Sequence, residues 1–145
     1  MTTPKLQQKV ENLGIISTRL AGTDGVSLET EKWVRVFEER GLTCYFFAGE
    51  LDRPPERSYL SPEAHFNHPE IQEIQEASFG VTVRSRALTQ KIREITERLK
   101  DHLYDFIDKF HIDIIFPENA LTIPMNIPLG IAITEVIAET GMPAA

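Results

Sequence analysis

The sequence has few of the residues that build disulfides, metal centres or covalent nucleophiles. Cys44 is the single cysteine, so no internal disulfide can form, and a cytoplasmic setting is the expectation. It sits in the apolar stretch TCYFFA and has no adjacent base, so it reads as a small buried hydrophobe rather than a nucleophile. The histidines are His65, His68, His102 and His111, and no ligand set among them has zinc-like spacing, so no metal is expected. An apolar run of about 18 residues is absent, which excludes a transmembrane helix. The polar opening, residues 1–12, lacks the apolar segment of a secretory leader. Dense Lys/Arg runs are missing and the net charge is −7, which argues against a nucleic-acid partner. No G-x-x-x-x-G-K-[ST] loop and no G-x-S-x-G elbow occur, so P-loop chemistry is excluded and covalent nucleophilic catalysis has no candidate.

What remains is an ordinary globular composition: 145 residues, 41% hydrophobic and 26% charged, enough for one domain with a real core. Residues 12–40 organise it. Leu13, Ile15 and Ile16 suit a buried central strand over 13–18. Gly22 and Gly25 bracket a turn, and Asp24 or Ser27 can cap the helix that follows. That helix has Leu28, Val34 and Phe37 on one side, with Trp33 as a packing residue, and ends at Gly41. Residues 43–48 form the second strand, which completes a βαβ unit with parallel strands. Residues 49–62 hold three prolines and several charges and read as a surface loop. A short edge strand is expected at 64–66, then a helix over 69–78 capped by Asn67.

The clearest periodicity runs from 84 to 110, where Leu88, Ile92, Ile95, Leu99, Leu103, Phe106, Ile107 and Phe110 recur at spacings of three and four. It predicts a long helix with a salt-laced solvated face of Arg93, Glu94, Glu97, Arg98, Lys100 and Asp101. His102 falls on that polar face and His111 at the C-terminal end. A strand follows, ending near Glu118. Pro124 and Pro128 flank Asn126, which can cap a last helix over 127–139, closed by Gly141. Residues 142–145 look like the opening of one more strand, so the chain is expected to be a piece of something longer. The fold class is therefore α/β: a Rossmann-like, doubly wound parallel sheet in three layers, with strand order 3-2-1-4 and an edge cut short of a further strand.

In such a sheet ligands bind beyond the carboxyl ends of the strands, where strand order reverses. That crevice lies between the loop after strand one, RLAGTDGVS, and the loop after strand four, PENALTIPMN. Gly22, Thr23, Asp24, Gly25 and Ser27 are the binding candidates on the first loop, and the helix dipole behind them favours anions. Glu118 and Asn119, on the second, offer an acceptor and an amide suited to sugar hydroxyls or a ribose. The same glycines also serve the bend itself. A dinucleotide reading finds Glu50 and Asp52 near the end of strand two, but only Gly22-x-x-Gly25 of the G-x-G-x-x-G fingerprint, with Leu20 where a glycine is required.

The segments IISTRLAGTDGVSLETEKW, CYFFAGELD and DIIFPENALTIPMNIPLGIAITEVIAETGMPA together resemble the N-terminal half of a family 4 glycosyltransferase with the GT-B fold. The resemblance implies two Rossmann-like domains facing across a cleft. It implies transfer from a nucleotide-sugar donor to a sugar or glycan acceptor, with retention at the anomeric carbon and without a metal. It also implies that Gly22, Thr23, Asp24 and Gly25 border the donor phosphates and the acceptor, and that Glu118 and Asn119 line the acceptor side. The family's adjacent glycine pair is split here as Gly-Thr-Asp-Gly. The donor-binding C-terminal domain would follow this chain, so the chain alone is expected not to catalyse transfer. An uncovered apolar face would favour self-association.

Overall fold

The computed structural model describes residues 11–121 and 125–145; the lead-in ahead of Glu11 and the residue Pro124 lie outside them. Four strands form one sheet: β1 (Asn12–Ile16), β2 (Thr43–Ala48), β3 (Ser58–Leu60) and β4 (Ile114–Pro117). Their order is β3-β2-β1-β4 and every pair is parallel. Ile15 of β1 stands opposite Phe46 on one side and Phe116 on the other.

Alternation along the strands sorts side chains between two apolar layers. Leu13, Ile15, Cys44, Phe46 and Ala48 face α1 (Gly25–Glu39) and meet its Val34 and Phe37. Ile16 and Phe47 face the other layer, formed by α2 (Pro69–Ser78), α3 (Arg86–Phe110) and α4 (Ile127–Thr140). Both faces of the sheet are covered, which is why its strands read as nearly unbroken apolar runs. On α3 the three-and-four spacing delivers Ile92, Ile95, Leu99, Leu103, Phe106 and Phe110 to the core. Phe106 meets Phe47 and Phe110 edge-on, with ring centres 5.6 and 5.7 Å apart. Truncating such a ring to alanine costs about 3–5 kcal/mol.

Several local expectations are corrected. The edge strand is Ser58–Leu60, not 64–66, where a 3₁₀ turn spans Pro62–Ala64. The 49–62 stretch is thus only partly loop. Tyr59 stacks on Phe47 with centres 5.5 Å apart, and the Ser61 N–H donates to the Ala48 carbonyl at 2.9 Å, so β2 recruits a strand too short to show as a pattern. The cap of α2 is His68, whose Nδ1 accepts the Glu70 N–H at 3.3 Å, rather than Asn67. His102 leaves the solvated face: it is half-buried, with Nδ1 2.8 Å from the Ser61 hydroxyl.

The caps of α1 and α4 follow expectation. Asp24 accepts the Ser27 N–H at 2.8 Å, and Asn126 accepts the Leu129 N–H at 3.0 Å. Asn126 also donates to the Glu63 carbonyl at 2.8 Å, tying α4 to the turn after β3. Beyond α4, Ala144 pairs in parallel with Ile115 on the outer edge of β4.

Candidate functional site

Backbone pairing continues past the strand ends and aligns the loops at the carboxyl rim. The Ser17 N–H donates to Phe47 at 3.0 Å, Gly49 to Thr18 at 2.9 Å, and Glu118 to Ile16 at 2.8 Å. The loops after β1 and β4 therefore leave the sheet side by side. Between them lies a cavity of about 310 Å³. Asp24 and Gly25 of the first loop and Asn119 of the second all line it, together with Ser17, Thr18 and Arg19. Val26, Phe66 and Met125 supply its apolar wall.

Other expected residues have different work. Ser27 is fully buried, and its hydroxyl accepts the Ala21 N–H at 3.0 Å and donates to the Ala21 carbonyl at 3.1 Å. It braces the loop from inside and does not line the cavity. Gly22 holds φ at +73°, a left-handed conformation that favours glycine, and its N–H donates to Asp52 at 2.8 Å. That N–H is not part of a free anion cradle. Thr23 is exposed beside it, outside the cavity. Glu118 also falls outside the lining; burial, then the charge of Glu29, pushes its carboxyl above the usual range. Gly25 differs from Gly22. Its φ is ordinary and a Cβ built on it meets nothing within 4 Å, so neither backbone nor packing requires a glycine there.

Arg19 organises the charges. Its Nη1 pairs with Asp24, and its Nε donates to Glu50 at 2.8 Å. Glu50 also contacts His65 Nε2 at 3.0 Å. Because His65 Nδ1 accepts the Asn67 N–H at 2.8 Å, the ring proton sits on Nε2 and is donated to Glu50. Asp24 is held below the usual carboxylate range, first by the Ser27 N–H and further by the Ser27 hydroxyl and Arg19. Glu50 is lowered first by Arg19, then by His65. Gly49 lets the two loops touch: a Cβ there would lie 2.2 Å from the His65 backbone nitrogen. That approach brings the neighbouring Phe66 to the cavity.

The cavity is thus electrically quiet. Its guanidinium is matched by carboxylates. Among the described residues, no partner takes the hydroxyls of Ser17 and Thr18, the Gly25 N–H or the Asn119 amide. Uncharged donors and acceptors beside apolar walls suit a polyhydroxylated ligand. Glu50 and Asp52, the acids behind a dinucleotide reading, are both engaged by protein groups, Glu50 by Arg19 and His65 and Asp52 by the Gly22 N–H. Ser17, Thr18, Arg19, Phe66 and Met125 were missed from sequence. The first three carried a signal, since polar residues directly after an apolar strand fall on the binding rim. Phe66 carried none, because its place depends on the Gly49–His65 approach. No described helix is long and apolar enough to cross a membrane.

No protein-family model matches the chain. It is similar to the mannosylglucosylglycerate synthase of Petrotoga mobilis, 23% identical over 132 residues, which cover 90% of this chain and 30% of that protein. No solved structure matches. The likeness supports a distant relationship to a glycosyltransferase, of which the chain spans less than a third.

Proposed function

We propose that the chain forms the acceptor-side half of a nucleotide-sugar-dependent glycosyltransferase of family 4, with the GT-B arrangement. The observation that carries this reading is the cavity where Asp24, Gly25 and Asn119 meet, lined by unpartnered neutral polar groups beside apolar walls. The likeness to the Petrotoga protein points the same way, and the name of that protein suggests a mannosyl donor and a glucosylglycerate-like acceptor as first probes.

In the proposed reaction the bond from the anomeric carbon to the donor diphosphate breaks, a new bond forms from that carbon to an acceptor hydroxyl oxygen, and the hydroxyl proton leaves on the departing diphosphate. Configuration is retained, no metal takes part, and the enzyme is cytoplasmic. Positioning is the contribution asked of this half. Ser17, Thr18 and Asn119 hold acceptor hydroxyls, and the Gly25 N–H at the start of α1 faces developing negative charge. A second Rossmann-like domain across the cleft binds the donor, so this half alone turns nothing over.

Calorimetric titration tests the reading. Saturable binding of the acceptor-like glucosylglycerate is expected, weakened by Asn119→Ala. Saturable binding of NAD(H) with no response to glucosylglycerate overturns it.

A further inference from the structure

A second polar cavity lies away from the rim cleft, at the start of α3. Arg84, Arg86 and Arg93 line a space of about 270 Å³ with Thr89 and Gln90. Four arginines elsewhere, Arg19, Arg53, Arg57 and Arg98, each pair with a carboxylate. These three find none among the described residues. Acids of α3 and α4 stand near without forming an ion pair with them: Glu94 accepts from Gln90 at 3.1 Å, and Glu97 and Glu135, which line an adjoining cavity with Arg84 and Arg93, lie 3.8 and 2.8 Å from the Lys100 ammonium. Arg84 is also oriented, its Nε donating to the Thr89 hydroxyl at 2.9 Å.

Three like charges lining one exposed space repel one another weakly in water, and an anion seated among them would relieve that repulsion. Guanidinium forks match phosphate oxygens in pairs, and a hydroxyl and an amide complete the donor set. We propose that this cavity binds a phosphate group. The inference does not depend on the sugar-transfer reading, since it uses none of the rim residues.

The phosphate has two possible carriers, a soluble phosphorylated compound or an anionic lipid headgroup. The adjoining segment bears on the choice: Phe79, Val81 and Val83 are 53%, 53% and 83% exposed just before Arg84. Apolar tips beside unpaired arginines are what a lipid surface would engage.

The test uses the whole chain at low salt, with two probes. Pyrophosphate is titrated calorimetrically, and vesicles of phosphatidylcholine with and without phosphatidylglycerol are sedimented with the protein. The variants are Arg93→Gln and the triple change of Arg84, Arg86 and Arg93 to Gln, whose melting should match the parent because all three side chains are exposed. Saturable pyrophosphate binding, weakened about tenfold by Arg93→Gln and lost in the triple variant, sustains the site with a soluble carrier. Binding only to phosphatidylglycerol vesicles, lost in the triple variant, sustains it with a lipid carrier. Absence of binding to both probes, or binding that survives the triple substitution, overturns the proposal.

Discussion

Gly25→Ala and Gly22→Ala are expected to move the melting temperature in opposite directions. At Gly25 the backbone is ordinary and the space beyond Cα is open within 4 Å. Alanine there narrows the unfolded ensemble without straining the folded chain, a gain of about 0.4–1 kcal/mol. For 145 residues, at about 2.1 cal/mol/K of unfolding entropy per residue, that is a rise of about 1–3 °C. At Gly22 the left-handed φ of +73° costs an alanine roughly 1–2 kcal/mol, a fall of about 3–7 °C. The new Cβ would also sit 3.1 Å from Arg19 Nη2, but that is the end of a side chain able to move aside. Melting both variants beside the parent by circular dichroism or calorimetry reads the difference. Should Gly25→Ala melt as far below the parent as Gly22→Ala, the backbone does need that glycine, and its place at the cavity says nothing about a ligand.

Asn126→Ala removes the buried cap of α4 and leaves the half-buried Glu63 carbonyl without its donor, so it should cost about 2–4 kcal/mol in urea unfolding. A loss below about 0.5 kcal/mol would show that the tie between α4 and the turn after β3 is dispensable. Burial pushes the Cys44 thiol up to about 11, so iodoacetamide at pH 8 should modify it only after denaturation. Prompt labelling of the native chain would contradict its burial. Asp24 and Glu50 both sit below their unfolded values, so the stability they confer is complete above the ordinary carboxylate range and is lost as pH falls through their folded values. Asp24→Asn keeps a capping side chain but should flatten stability against pH below about 5. An unchanged acid profile would count against an Asp24 carboxyl held low by the Ser27 N–H and Arg19.

Where composition and period spoke strongly, the fold was legible. The α3 stripe from Ile92 to Phe110 carries seven buried positions, and its period is unmistakable. Parallel order β3-β2-β1-β4 followed from alternation of strand and helix. Short, context-made elements were not legible. β3 is three residues long and exists because β2 offers it a free edge and Phe47 offers Tyr59 a partner. A ring nitrogen of His68 caps α2 where the sequence offered the more usual Asn67. At the site, the meeting of the two loops could be expected from topology alone, because β1 and β4 are neighbours at the point where strand order reverses. The interior role of Ser27 could not, since capping serines and loop-bracing serines look alike in sequence. Nor could the pairing of Arg19, whose partner Glu50 is 31 residues away.

The account stands on a ligand occupying the cavity between the loops after β1 and β4. Backbone amide shifts of isotopically labelled protein, followed as glucosylglycerate is added, test that directly. The expected result is saturable shifts concentrated at residues 17–19, 24–26 and Asn119, with Gly25 among the largest. Saturable shifts confined to other parts of the surface, or no saturable shift at ligand concentrations of about 10 mM, where even millimolar binders would occupy most of the protein, would contradict it.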